Sequence, residues 1–65
     1  MAWVKQIFEA HGLKVTLWEG SVSLDAANGF GVQLSPPSRS QAHDQALMLR
    51  RAARRLEEIG EGLPQ

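Results

Sequence analysis

The sequence contains no cysteine and no tyrosine. Without cysteine the chain can form no disulfide, hold no metal through thiolates and offer no cysteine nucleophile. It also has no net charge, because seven lysine and arginine residues balance seven aspartate and glutamate residues. Domains that bind nucleic acid along its backbone are usually clearly basic. Neutrality therefore argues against a general polyanion binder but leaves room for a local basic patch.

Long apolar runs are also missing. The longest uninterrupted run covers residues 46–49, far short of the roughly 20 residues that span a membrane. The first twelve residues lack the apolar segment of a secretory signal, so we expect a cytoplasmic protein without a membrane anchor. A chain of 65 residues should form one domain with a thin core, for which a homodimer is one route to stability.

The longest periodic segment, residues 38–59, predicts an amphipathic helix. At 100° per residue its small and apolar side chains collect on one side and its charged side chains on the other. The apolar side holds Ala42, Ala46, Leu49, Ala53 and Leu56. Ser38 follows two prolines and predicts the N-cap, with Gln41 three residues later. Gly60 predicts the end of the helix.

Three segments alternate between apolar and polar residues with a period of two. They predict strands at residues 13–18, 21–25 and 29–34. Glu19-Gly20 and Asn28-Gly29 are turn signals between them. Because all three strands alternate, one face of their sheet should be apolar and the other polar.

The first part of the chain suggests a second, shorter helix. Residues 2–11 carry apolar side chains at helical spacing, namely Trp3, Val4, Ile7 and Phe8, and Gly12 follows where helices commonly end. The predicted fold is therefore α+β in the order α-β-β-β-α. Its three-stranded antiparallel sheet would have both helices packed on the apolar face.

This element order, the chain length and the alanine- and arginine-rich last helix resemble the layout of the double-stranded-RNA-binding domain. The resemblance covers the whole chain in topology. In that family the last helix begins with a lysine-rich segment and the first hairpin has a long loop. Here the helix begins SRSQAHDQ and the turn is Glu19-Gly20. The resemblance thus implies an architecture, and no RNA-contacting residue is carried over.

Trp18 is the most informative candidate for a contact. Strand alternation places it on the polar sheet face with Lys14, Thr16 and Gln33, and tryptophan is enriched at the centres of protein interfaces. Two interpretations stay open: Trp18 anchors a partner, or the alternation breaks at the strand end and the indole folds over the edge of the core. Leu47 is a second apolar residue, in the middle of the charged helix face, where a protein contact with a polar rim is favoured.

The outer side of the long helix carries most of the arginines. One interpretation is a solvated face with local ion pairs. The other is a contact with an anionic partner, either nucleic-acid phosphates or an acidic protein surface. The candidate residues for this contact are Arg50, Arg51, Arg54, Arg55 and His43.

No residue pattern supports catalysis, a cofactor or a metal site. His11 and His43 lie in different elements, and Ser38 and Ser40 are explained by helix capping. We expect a non-enzymatic binding protein, a regulator, adaptor or inhibitor that acts by protein–protein contact. Nucleic-acid binding through the arginine face is the alternative. A homodimer joined through the open sheet face or an edge strand is compatible with both.

Overall fold

A computed structural model describes residues 3–65, which form a four-stranded antiparallel sheet followed by one helix. The elements are β1 (Gln6–Ala10), β2 (Leu13–Leu17), β3 (Val22–Ala26), β4 (Gly31–Leu34) and α1 (Arg39–Glu61). The strands lie side by side in chain order. The α+β class is correct, but the expected arrangement of three strands and two helices is wrong.

The segment predicted as the first helix contains strand β1 instead; its first residue, Ala2, lies outside the described residues. β1 pairs with β2, and Phe8 lies opposite Val15. The connecting residues His11 and Gly12 have φ values of 46° and 84°, and two consecutive positive values mark a two-residue type I′ hairpin turn. Since glycine with positive φ ends helices and closes hairpins alike, Gly12 alone did not distinguish the two. With a strand in first place, the element order no longer resembles the double-stranded-RNA-binding domain.

The cross-strand register sorts the sheet into two faces. Residues paired across strands share a face, and successive residues alternate between faces. The apolar sheet face comprises Phe8, Leu13, Val15, Leu17, Val22, Leu24, Val32 and Leu34. The polar sheet face is built around the row Ile7, Thr16, Ser23 and Gln33.

Helix α1 begins at a capped end. Ser38 is its N-cap, in extended conformation with φ −147° and ψ 163°, and its Oγ accepts a hydrogen bond from the backbone N–H of Gln41 at 3.3 Å. The helix starts one residue later and ends two residues later than the sequence predicts. As the one helix within residues 3–65, it is too polar to cross a bilayer.

Only the first half of α1 lies near the sheet, and it does so across a groove, because among the described residues no Cα atom of the helix comes within 8 Å of a strand Cα atom. Ala42, Gln45 and Ala46 are half-buried, whereas residues 50–61 are all exposed. A groove of about 340 Å³ separates this half from the sheet, and Leu49 is the last helical residue that lines it. The second half extends beyond the sheet, which gives a shape of 44 × 24 × 23 Å. The expectation that helices cover the whole apolar sheet face is therefore wrong.

Candidate binding surfaces

Trp18 follows directly after β2 and lies on the polar sheet face. Its indole Nε1 donates a hydrogen bond to Ser23 Oγ at 2.9 Å, and Ser23 belongs to that face. The ammonium of Lys5 lies 5.1 Å from the centre of the ring, within reach of a cation–π interaction. The indole Nε1 therefore reaches the polar face, Trp18 also lines the groove beside α1, and 42% of the residue is still exposed.

Three other residues were predicted to lie with Trp18 on the polar sheet face, and their exposure to solvent differs. Thr16 is 4% exposed, so it is not available to a partner. Gln33 is exposed, and its Nε2 donates a hydrogen bond to Ser21 Oγ at 3.1 Å. Lys14 is exposed one row farther along the sheet, opposite Asp25. Lys14, Trp18 and Gln33 thus remain as one polar candidate surface.

Leu47 belongs to a different surface. It lies on α1 and is 36% exposed. At 100° per residue its direction differs by about 160° from that of Leu49, which lines the groove facing the sheet. Leu47 therefore points away from the sheet and does not join Trp18 in one contact patch.

The arginine face is exposed and partly neutralised by one glutamate. Arg54 Nε lies 3.7 Å from Glu58 Oε2, and Arg55 Nη1 lies 3.4 Å from Glu58 Oε1. Pairs this exposed add little to stability. Among residues 3–65, Arg50 and Arg51 form no ion pair. His43 lies on the same outer side of α1, about two turns before Arg50.

The apolar sheet face was predicted from the sequence as a buried surface, but in the structure much of it is exposed. Phe8, Leu13 and Val32 are 57%, 46% and 46% exposed. At the end of the sheet near the start of α1, the residues of the same face are only half-buried: Leu17, Val22 and Leu34. The predicted first helix would have covered this face. Because that segment is β1, the cover is absent and Phe8 is added to the uncovered surface.

The second half of α1 carries another uncovered apolar surface. The helix stripe, as we name it, consists of Leu49, Ala52, Ala53, Leu56, Ile59 and, just beyond the helix, Leu63. Leu56 is 64% exposed, Ile59 45% and Leu63 62%. The sequence periodicity revealed this stripe, but as a face buried against the sheet. The helix is simply longer than the sheet can cover.

In the part of the chain described, no three histidine, aspartate or glutamate side chains come together as a metal site would require. The ionisable groups are spread over separate elements. No protein-family model, curated protein or solved structure matches the chain. Four exposed surfaces therefore remain as candidates for function: the two uncovered apolar surfaces, the Trp18 surface and the arginine face.

Proposed function

We propose that this is a non-enzymatic binding protein that acts by contact with another protein, as a regulator, adaptor or inhibitor. The observation that supports the proposal is the apolar sheet face, where Phe8, Leu13 and Val32 are each about half exposed. Monomeric soluble proteins rarely leave contiguous apolar patches uncovered, and larger ones usually mark interaction sites.

The contact would centre on the row that crosses the whole sheet. Phe8, Val15, Leu24 and Val32 form that row. Covering a large apolar side chain completely contributes about 1.5–3 kcal/mol before the costs of association. The two outer members belong to β1 and β4, the edges of the sheet, where a partner could also meet backbone groups. Trp18, Lys14 and Gln33 would supply a second, more polar contact on the opposite face.

The test uses tagged protein to capture its partner from extract of the native cell, treated with nuclease. We expect Phe8→Glu to lower the partner affinity about 100-fold or more, because a carboxylate would enter the desolvated centre of the contact. Phe8 is 57% exposed in the free chain, so the fold should persist by circular dichroism. Titration of the captured partner against each variant measures the affinity.

The matched control is Glu9→Gln, one residue along the same strand and on the other face of the sheet. Because Glu9 lies opposite Lys14 at the edge of the polar contact, this variant should lose less than tenfold in affinity, against the loss of about 100-fold expected for Phe8→Glu. The double variant Lys14→Glu, Gln33→Glu measures the polar contact, for which we expect less than a tenfold loss. Undiminished capture by Phe8→Glu would reject the apolar sheet face as the contact.

Nucleic-acid binding is a second candidate function, favoured by four exposed arginines within residues 50–55. Arg50 and Arg51 carry no ion pair among the described residues, so they could contact phosphates. Three glutamates follow at 57, 58 and 61, and they oppose such binding.

If nucleic acid binds here, Arg50→Ala with Arg51→Ala should lower affinity for a single-stranded oligonucleotide. Two lost phosphate contacts should also reduce the slope of log affinity against log salt by about 1.4 on a single strand. Fluorescence anisotropy across a salt series measures both quantities, and Arg39→Ala is the control for removing a helical arginine elsewhere. Binding that is absent, or indifferent to salt, would rule out this function.

A further inference from the structure

The chain exposes more surface than a self-sufficient monomer of its mass. Its accessible surface is 5838 Å² for 7.2 kDa. A folded monomer of that mass exposes about 4,100 Å², so the excess is about 1,700 Å². A stable protein interface buries about 800 Å² on each partner, and permanent homodimers bury more. Among residues 3–65, no apolar side chain is fully buried, and a second molecule would cover the apolar surface that remains.

The helix stripe has the spacing of a helix-pairing surface. Leu49, Ala52, Leu56, Ile59 and Leu63 follow one another at intervals of three and four residues, as in coiled coils. Alanine at 52 and 53 would let a second helix approach closely. Residues 50–61 continue a helix of 23 residues, and since most helical stability in proteins comes from packing of an apolar face, a partner that covers the stripe would stabilise them.

The order of charges along α1 selects the partner and its direction. Four arginines between 50 and 55 precede three glutamates between 57 and 61. A parallel second copy would place arginines beside arginines, whereas an antiparallel copy places them beside glutamates. Both ion pairs within residues 3–65 use Glu58. Arg50, Glu57 and Glu61 lack such a pair and lie on one side of α1, about 105–145° from the centre of the stripe, so they act on a second copy through the charge of their segments and not through direct contact.

We propose that the helix stripe pairs with the helix stripe of a second copy of this chain, antiparallel and centred near Leu56. Leu56 then meets Leu56 of the second copy, and the arginine segment 50–55 lies level with the glutamate segment 57–61 of the second copy. Leu63 of the second copy reaches the level of Leu49, at the groove lined by Val22 and Leu34. The inference goes beyond the proposed function, because it concerns a surface other than the sheet.

Sedimentation equilibrium of the full chain tests the pairing. The expected mass is twice 7.2 kDa, and Leu56→Glu should raise the dimer dissociation constant about 100-fold or more, because the substitution enters the interface twice. Leu47→Glu, on the opposite side of α1, is the matched control and should leave the dimer intact. The melting temperature of the wild type should rise with protein concentration. A mass of 7.2 kDa at millimolar concentration would overturn the proposal and leave the stripe to a different protein.

Single cysteines determine the direction, since the chain has none of its own. Leu56→Cys should form a disulfide-linked dimer under mild oxidation. Leu49→Cys should not link to itself, because antiparallel pairing separates the two positions by about 20 Å. A parallel pair would link through both positions, and that result would overturn the antiparallel arrangement.

Charge reversal gives an independent readout. Chains with Arg50→Glu and Arg55→Glu, the two arginines nearest the stripe, should repel each other, as should chains with Glu57→Lys and Glu61→Lys. Mixing the two should restore a dimer of one chain of each kind, and failure of the mixture to associate would contradict the proposed charge pairing.

A Leu56→Glu monomer that still captures the partner through the sheet would separate this proposal from the proposed function.

Discussion

Leu24→Asp is expected to leave the chain unfolded at 25 °C. Leu24 is half-buried at the centre of the apolar sheet face, between Val15 and Val32 on the neighbouring strands. The substitution removes apolar contacts with both neighbours and places a carboxylate among apolar side chains. We expect a loss of about 3–5 kcal/mol, which equals the whole stability that so small a domain usually has. Circular dichroism and urea titration measure the loss.

Ser23→Asp is the matched control for this substitution. Ser23 is the preceding residue on β3, it is also half-buried, and it lies on the polar sheet face. Aspartate there can still accept the hydrogen bond from Trp18 Nε1, so its cost should stay within about 1 kcal/mol. Both substitutions introduce aspartate into β3. The difference between their losses of stability therefore measures the effect of placing the carboxylate on the apolar instead of the polar face. Equal losses would mean that the cross-strand register described here is wrong.

Ala53→Pro is expected to unfold the second half of α1 while the sheet keeps its structure. Proline removes the backbone hydrogen bond from residue 53 to residue 49 and costs about 3 kcal/mol or more inside a helix. The nine residues 53–61 make up about 40% of the helix and are too short to stay helical alone. Residues 39–52 include all the helical residues that line the groove beside the sheet. The helical ellipticity should fall by about 40%, and the amide resonances of the four strands should remain dispersed.

Arg39→Pro provides the comparison at the start of the same helix. Arg39 is the first helical residue, a position where proline is well accepted because its N–H would have no partner within the helix. The preceding Ser38 is already extended, with φ −147° and ψ 163°, as a residue before proline should be. The helical ellipticity of the Arg39→Pro variant should match that of the wild type. Loss of the strand resonances in Ala53→Pro would show that the sheet needs the whole helix.

The sequence predicted the long helix and three strands because their signals are local. The cap at Ser38 and the alternation from Leu13 onward need no tertiary information. The first segment failed because Ile7 and Phe8 suit both a short helix and a strand, and Gly12 closes either. The pairing of β1 with β2 through the His11-Gly12 turn makes this segment a strand. The periodicity of one segment carries no information about which other segment it pairs with.

For the candidate surfaces too, the features set by local pattern could be predicted, and those set by tertiary contacts could not. Placement of Trp18 on the polar sheet face could be predicted from alternation, whereas its hydrogen bond to Ser23 could not. Burial was the weakest inference, because amphipathicity shows which side of an element is apolar and not what covers it. The sequence therefore identified Leu49, Leu56 and Val32 as apolar positions but assigned to the chain a core that the described residues do not have.

The strand order has a further consequence, for the speed of folding. Each strand pairs with the next across two, four and four intervening residues, and α1 forms through contacts along its own length. Topologies dominated by such short-range contacts fold quickly, so the single chain should collapse well before it meets another. For a protein completed by a second copy, the slow step is then a bimolecular encounter whose rate rises with the amount of protein made. Cellular abundance, more than folding rate, would set how soon the assembled form accumulates.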